Sequence, residues 1–276
     1  MIRVAVATFA GAFVVGVQSG TAALESAFAE SGRVLAQIVY SVQPGKETYA
    51  VRLTVRRDGR KVLHERVRPL RGLYGTKPEP IRGARPIAVR DLDGDGELEI
   101  LLDLYSGGAH CCFWSRIYTW SAVTGRYRSS GQLWGNVAYR LADVDRDRNE
   151  EFVSADDRFA YAFTSYAASS DPLQIWTYRS GRLVDTTRAF SELIARDTSR
   201  QWRMFLEARQ GHDDVRGYLG AWVADECLLG RGAAAFQTLR GLPTAVWRSF
   251  SVPQVRSARA YLSHLSRFLK RIGYAC

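Results

Sequence analysis

Residues 91 to 99 read Asp-Leu-Asp-Gly-Asp-Gly-Glu-Leu-Glu, and this acidic stretch sets the architecture expected for the first half of the chain. Carboxylates at alternate positions of a short loop can converge on one hard cation. Glycines at the fourth and sixth positions let the backbone curl around the ion. We therefore predict a Ca²⁺ site whose ligands are the side chains of Asp91, Asp93, Asp95 and Glu99 and the carbonyl of Glu97.

The residues after this loop indicate a strand and argue against an EF-hand. An EF-hand requires a bidentate acid at the twelfth position of its loop, and that position is Leu102. Apolar side chains alternate with mostly polar ones over residues 98–105, which is the period of a half-buried strand. A strand, and no helix, is therefore expected to leave the loop.

The loop resembles the D-x-D-x-D-G-x-x-D pattern of the FG-GAP/VCBS repeat family. The matching residues are Asp91, Asp93, Asp95, Gly96 and, with Glu in place of Asp, Glu99. The resemblance implies calcium-binding loops within the hairpin-rich blades of a β-propeller. The chain also carries a Gly-Gly-Ala-His-Cys-Cys stretch similar to one in uncharacterised secreted bacterial proteins, which implies no activity.

A second copy of the acidic pattern begins at Asp143. Its predicted ligands are Asp143, Asp145, Asp147, Asn149 and Glu151. Arg146 and Arg148 replace the two glycines of the first loop, and a left-handed conformation at Arg148 would cost on the order of 1 kcal/mol. The guanidinium groups would also compete with a cation. We predict a weaker second site.

Hairpins accompany both loops and form a repeat. They are predicted at 116–120 with 125–127, at 174–178 with 181–183, and, without an acidic loop, at 51–55 with 61–63 around Asp58-Gly59. Three such units are too few for the seven blades typical of the family. We predict a mainly β domain over residues 30–188, built from blade-like antiparallel hairpin repeats in a partial propeller or another arrangement of the same blades.

Past Asp185 the apolar residues recur at helical spacing. The predicted faces are Trp202, Phe205 and Leu206; Val215, Leu219, Trp222 and Leu229; and Val255, Ala258, Tyr261, Leu262, Leu265, Phe268, Leu269 and Ile272. Pro253 suits a first helical turn and Gly273 suits a helix end. A small α-helical domain is predicted over residues 189–276.

The amino terminus is typical of a secretory signal. A positive start at Arg3 precedes an apolar run over 4–17, and residues 27–29 form an A-x-A cleavage pattern. The run of about 14 residues is shorter than the ~20 that span a bilayer. We predict a cleaved leader over 1–29, with a cut after Ala23 and a buried core helix as alternatives. The mature protein would be secreted, periplasmic or in the cell envelope, with no membrane span.

Export would place the four cysteines in an oxidising compartment. A bond between Cys227 and Cys276 would tether the carboxyl terminus, and it leaves Cys111 with its neighbour Cys112 in a strained ring. Crossed pairing of Cys111 and Cys112 with the other two remains open.

Gly107, Gly108 and His110 lie beside the adjacent cysteines and form the second candidate site. Three interpretations are open: a structural turn, a rim that contacts a ligand, and a zinc site. The stretch has no C-x-x-C pair, which argues against zinc.

Composition bounds the partner and the function. The 38 Lys and Arg residues exceed the 28 Asp and Glu residues by 10, so an anionic partner is plausible. The arginines are spread without a dense tract or a recognised module, so nucleic acid is not expected.

The four histidines form no H-E-x-x-H pattern, and no G-x-S-x-G is present. We predict a non-catalytic secreted module in which calcium shapes a surface for binding or adhesion. The alternative is a secreted metal-dependent hydrolase that uses the acidic loop and His110, with Asp103 or Asp91 as the partner of that histidine.

Overall fold

The computed structural model describes residues 23–42, 49–81, 85–108, 111–247 and 257–276. Strands fill the first two thirds of this part and helices the last third, so the predicted order of a β-rich region followed by helices is confirmed. The strands are β1 Ala23–Ser31, β2 Val34–Val42, β3 Arg52–Arg57, β4 Arg60–Arg66, β5 Lys77–Pro78, β6 Ile87–Arg90, β7 Glu99–Tyr105, β8 Phe113–Ser121, β9 Arg126–Gly135, β10 Arg140–Ala142, β11 Glu151–Ala155, β12 Leu173–Arg179 and β13 Arg182–Asp185. The helices are α1 Ser191–Gln210, α2 Arg216–Leu228, α3 Gly232–Arg240 and α4 Ala258–Ile272.

The first sheet has the order β1-β2-β3-β4, with antiparallel pairing throughout. Asp58 and Gly59 have φ angles of 49° and 73°, which is the left-handed geometry of a two-residue hairpin turn. The hairpin predicted around Asp58-Gly59 is therefore present.

The other two sheets share one plan, in which an acidic loop separates two neighbouring strands of a series that follows the order of the chain. The second sheet has the order β5-β7-β8-β9 with β6 also paired to β7, and the third has the order β10-β11-β12-β13. The 91–99 loop therefore lies between β6 and β7, and the 143–151 loop between β10 and β11. Within the described residues the three sheets are open, and no propeller is formed.

One core joins the first two sheets. Its fully buried members include Ile38 of β2, Leu53 of β3, Ile100 of β7 and Trp114 of β8. Each such side chain contributes about 1.5–3 kcal/mol when it leaves water. Leu101 is also buried, so β7 is covered on both faces and is more enclosed than its sequence alternation predicted.

The helices share a second core. Phe205, Leu219, Tyr261 and Leu265 are fully buried in it, as predicted. Leu206 is exposed because the buried face of α1 runs through Ile194, Thr198, Gln201, Phe205 and Ala208, which excludes it.

The predicted end of the last helix is confirmed, and its start differs. Gly273 closes α4 with a left-handed φ of 92°. The helix begins at Ala258, with the Ser257 side chain accepting a hydrogen bond from the Ala260 N–H. Pro253 and Val255 lie outside the described residues.

Contacts between Cα atoms divide the chain into two units. Unit 1 comprises 1–152 and 177–184, and unit 2 comprises 153–176 and 185–276. The sequence placed a boundary at 188/189, where strands give way to helices, whereas the contacts place the segment 153–176 with the helices.

The predicted leader overlaps β1. Residues 1–22 lie outside the described part of the chain, but Ala23–Ser31 pairs residue for residue with β2. A cut after Ala29 would remove most of this strand, whereas the alternative cut after Ala23 leaves it nearly whole. In the described ranges, no helix is long and apolar enough to cross a membrane.

Candidate metal site in the acidic loops

The 91–99 loop is folded by its own carboxylates. Asp91 accepts hydrogen bonds from the Gly94 N–H at 2.7 Å and the Gly96 N–H at 3.0 Å. Both glycines have positive φ, 73° and 87°, so the sequence provides residues that tolerate this curl at low cost. Asp95 accepts the Glu97 N–H at 2.8 Å.

The loop brings together three of its predicted metal ligands. Oxygens of Asp91, Asp93 and Glu99 lie within 4.8 Å of one another. Asp95 is outside this group and serves the loop backbone. The Glu97 side chain forms an ion pair with the buried Arg57, whose guanidinium lies 4.9 Å from the centre of the Trp120 ring. Sequence reasoning missed Arg57 because β3 lies far from the loop along the chain.

Glu99 is the buried member of the group. Its residue surface is 0% exposed; one oxygen accepts the Leu92 N–H at 3.0 Å, and Oε1 has no hydrogen-bond partner. Burial raises the pKa of Glu99 to about 8, and the neighbouring carboxylates of Asp93, Asp95 and Asp91 add to that rise. Asp93 has a raised pKa too, chiefly through partial burial, and its Oδ1 is also unpartnered. An unpaired buried carboxylate is costly, so a bound cation would stabilise this arrangement.

The second acidic loop repeats the geometry of the first. Oxygens of Asp143, Asp145 and Glu151 lie within 4.8 Å of one another. Glu151 accepts the Val144 N–H at 3.2 Å, just as Glu99 accepts the Leu92 N–H. Burial also raises the pKa of Glu151.

The backbone of the second loop curls in the same way as that of the first, although it has no glycines. Arg146 and Arg148 have φ angles of 66° and 80°, so both are left-handed, as Arg148 was expected to be. The remaining predicted ligands are engaged within the loop, since Asp147 accepts the Asn149 N–H at 2.8 Å. This backbone is more strained than that of the first loop.

The two loops are neighbours. A Cβ at Gly94 would overlap the Asn149 side chain, and Arg90 forms an ion pair with Glu150. The turn between β12 and β13 reaches the first loop, because the Ser180 N–H donates to Asp93 Oδ2 at 3.2 Å. Residues from both repeats therefore surround the first group of carboxylates.

Hydrogen bonds join the two ends of the glycine and cysteine segment. Gly107 and Gly108 have φ angles of 85° and 100°. The Cys112 N–H donates to Ser106 Oγ at 2.8 Å, and Ser106 N–H donates to the Cys112 carbonyl at 3.0 Å. Ala109 and His110 lie outside the described residues, so the contacts of that histidine, as a rim residue or as a hydrolase group, stay predictions.

Both favoured disulfides are present, Cys111–Cys112 and Cys227–Cys276. The first lies beside Ser106, which accepts the Cys112 N–H. In unit 2 the second joins the end of α2 to the carboxyl terminus, with the two Cα atoms 4.8 Å apart.

A buried network around Asp103 carries another titratable group. Asp103 accepts hydrogen bonds from Ser115 at 2.6 Å and from the Tyr139 hydroxyl at 2.9 Å, and Trp134 donates to Ser115 at 2.8 Å. Burial raises the pKa of Asp103 to about 7, although both donors oppose the rise. Ser115 and Tyr139 are distant in sequence, so no local pattern signalled this network.

The helical region is similar to a domain of known proteins. Residues 194–273 match the family model of the sll0997 C-terminal domain. These residues run from α1 to the end of α4.

Two relatives extend the likeness into the β-rich region. The chain is 30% identical over 222 residues to the "Probable thylakoid lumen protein sll0997" of Synechocystis sp. (strain ATCC 27184 / PCC 6803 / Kazusa), which covers 76% of this chain and 61% of the relative. It is 32% identical over 148 residues to the "Uncharacterized protein y4bJ" of Sinorhizobium fredii (strain NBRC 101917 / NGR234), which covers 51% of this chain and 22% of the relative. The chain thus spans about three fifths of the first relative's length and about a fifth of the second's. No solved structure matches at a significant level.

These matches correct the assignment to the FG-GAP/VCBS repeat family, which was wrong. The family model that matches is the sll0997 C-terminal domain, and the relative that covers most of the chain is the lumen protein. A short acidic loop is compatible with unrelated β folds, so five matching positions were too few to define a family. The calcium-binding propeller that the resemblance implied is therefore not supported either.

Proposed function

We propose that this chain is an extracytoplasmic binding protein in which the 91–99 loop holds a calcium ion. The ion would keep one exposed surface of unit 1 in a single conformation. The observation that carries the proposal is the unpartnered Oε1 of the fully buried Glu99, beside the oxygens of Asp91 and Asp93.

The burial of Glu99 explains why a cation would matter. Without a counter-charge, an ionised carboxylate in that position costs several kcal/mol, and the raised pKa of Glu99 expresses that cost. A divalent cation among the three carboxylates would allow all of them to ionise together.

The donor set favours calcium over softer metals. Asp91, Asp93 and Glu99 offer only carboxylate oxygens, the hard ligands that Ca²⁺ and Mg²⁺ prefer. Calcium accepts six to eight oxygens in flexible geometry, including backbone carbonyls and water. A curled loop with two glycines suits that requirement better than the strict octahedron of magnesium.

The neighbours of the loop suggest what the ion would hold in place. Asp93 is bonded to the Ser180 N–H, and Glu97 is paired with Arg57. Fixing the carboxylates would therefore also fix the turn after β12 and the end of β3. A surface built from these segments is the expected binding surface.

Three observations support an extracytoplasmic location. The relative of Synechocystis is named as a probable thylakoid lumen protein. The Cys227–Cys276 disulfide suits an oxidising compartment, and the amino-terminal sequence is typical of an export signal. Among extracytoplasmic locations, we propose that the protein is secreted or periplasmic.

The test is a calcium titration of the whole protein after removal of metals with EDTA, followed by calorimetry and thermal melting. At a hundredfold excess over the Kd, calcium should stabilise the native state by about 2.7 kcal/mol. For a chain of this size that corresponds to a rise in Tm of roughly 5–10 °C. Identical melting curves in EDTA and calcium would contradict the proposal.

Matched variants locate the site. Asp93→Asn with Glu99→Gln should abolish the calcium-dependent rise in Tm, since two of the three carboxylates become neutral. The equivalent pair in the second loop, Asp145→Asn with Glu151→Gln, is the control and should retain most of the rise. The reverse result would place the ion in the second loop and overturn the assignment to Glu99.

A further inference from the structure

The outward face of β3 and β4 carries cations directly opposite one another. Arg52 pairs in register with Arg66, and Arg56 pairs with Lys61. All four side chains are exposed, whereas Leu53 and Val55 point to the core. We call Arg52, Arg56, Lys61 and Arg66 the basic face.

The basic face has no acidic partner within the described residues. None of its four members forms an ion pair there, and Arg56 instead donates to the Gly59 carbonyl at 3.1 Å. Thr54 and His64 share a hydrogen bond of 2.9 Å between the two pairs. Like charges directly opposite on a sheet are destabilising, so folding alone does not account for this arrangement.

Apolar side chains lie next to the basic face on the same side of the sheet. Val39 of β2 is in register with Arg52, and Leu35 is in register with Arg56. Both are partly exposed, and Leu24 on β1 is 70% exposed. The acid on this part of the face is Glu30, opposite Leu35. This side of the sheet therefore combines four exposed cations with apolar side chains that are exposed or partly exposed.

We propose that this face of the first sheet docks on the anionic surface of a lipid bilayer. Lys and Arg side chains bind anionic headgroups, and each contributes roughly a fivefold gain in binding when it lies at such a surface. Bound headgroups would also relieve the repulsion between Arg52 and Arg66 and between Arg56 and Lys61. The adjacent Leu24, Leu35 and Val39 suit the boundary between headgroups and acyl chains. A soluble polyanion would use the cations alone and would leave these apolar side chains without a role.

The test is co-sedimentation of the whole protein with vesicles of phosphatidylcholine alone or mixed with phosphatidylglycerol. Wild type should bind the anionic vesicles, release them as salt rises, and bind phosphatidylcholine vesicles at least tenfold more weakly. Equal binding to both kinds of vesicle, or to neither, would overturn the proposal.

Charge-matched variants distinguish binding through the basic face from binding that depends only on the net charge of the protein. Since each cation contributes roughly fivefold, changing Arg52, Arg56, Lys61 and Arg66 to Gln should weaken binding to anionic vesicles more than a hundredfold, and the smaller variant Arg52→Gln with Arg66→Gln should weaken it about 25-fold. The control changes Arg203, Arg209, Arg240 and Arg259 to Gln; these are exposed arginines of the helices, and the change in net charge is the same. An equal loss in the control would overturn the proposal.

Folding is checked separately. Because like-charge pairs are removed, the Tm of both basic-face variants should equal or exceed that of wild type. If the fourfold variant does not fold, the two-residue variant decides the question.

A final experiment tests whether the face binds a bilayer or a soluble polyanion. Leu24→Ser with Leu35→Ser should weaken vesicle binding while leaving binding to dextran sulfate unchanged. Unchanged vesicle binding in this variant, together with tight binding of dextran sulfate, would replace the bilayer by a soluble polyanion and overturn the proposal.

Discussion

Glu99 and Asp103 lie on the same strand, β7, and burial raises the pKa of both carboxyl groups. Their surroundings differ. Asp103 accepts hydrogen bonds from Ser115 and Tyr139, whereas Oε1 of Glu99 has no donor. A satisfied buried network is a structural feature, whereas an open oxygen beside other carboxylates is a candidate ligand for a cation. The strand thus has a structural acid near one end and a candidate ligand at the other.

Asp103 should make stability depend on pH. Its pKa in the folded protein is about 7, above the ordinary 3.8, so the folded state retains a proton that the unfolded state has lost between those values. The stability from Asp103 is therefore fully present below about pH 4 and falls as pH rises towards 7, with a limiting slope of about 1.4 kcal/mol per pH unit. Asp103→Asn should flatten this decline. Denaturant unfolding from pH 4 to 8 measures it, and parallel curves for the two proteins would contradict the prediction.

At the scale of elements, α2 is distinguished by burial around most of its circumference. From Arg216 to Cys227 almost every residue is buried, which the apolar stripe through Leu219 and Trp222 did not reveal. Gly217 permits a close approach to the backbone at Ala168, and Gly220 faces Phe163. The helix is therefore central to unit 2.

Gly217→Ala tests this close approach. An added Cβ would overlap the Ala168 carbonyl oxygen, which belongs to rigid backbone, so we expect destabilisation of about 2–3 kcal/mol. Gly241→Ala is the matched control, since its Cβ would meet the nearest atom, the Thr238 carbonyl oxygen, at 3.5 Å. That variant should be neutral or slightly stabilising, by up to about 1 kcal/mol. Chemical denaturation compares the two, and equal stabilities would show that the backbone at Ala168 moves freely.

At the scale of the whole molecule, the two disulfides constrain the chain very differently. Cys227 and Cys276 are 49 residues apart, whereas Cys111 and Cys112 are adjacent. Loop-closure entropy grows with loop length, so the longer bridge should stabilise the native state far more.

Cys276→Ser should lower the free energy of unfolding by roughly 2–4 kcal/mol, because it releases the carboxyl terminus and leaves Cys227 as a buried thiol. Cys111→Ser serves as the comparison and should cost less. Unfolding by denaturant under non-reducing conditions gives both values. A larger loss for Cys111→Ser would mean that the turn at Ser106 matters more than chain entropy.

Much of the fold could be predicted from the sequence, because the relevant signals were local. Asp58-Gly59 specified a hairpin, Gly94 and Gly96 specified a curled loop, and Gly273 specified a helix end. The contacts of individual acidic side chains could not be predicted in the same way. Asp95 matched the ligand pattern but serves the Glu97 N–H, and Arg57 reaches the loop from β3.

The sequence by itself determined the order of strands and helices, the two acidic loops and the turns between strands, since each depends on residues within a few positions of one another. Only the tertiary structure decided which carboxylates converge, that Glu99 is buried with an open oxygen, and that Asp103 is enclosed by Ser115 and Tyr139. The tertiary structure also brings the cations of the basic face together, because the register of β3 with β4 places Arg52 opposite Arg66. The physical reason is that burial and cross-strand pairing depend on residues distant in the chain, which a local pattern does not specify.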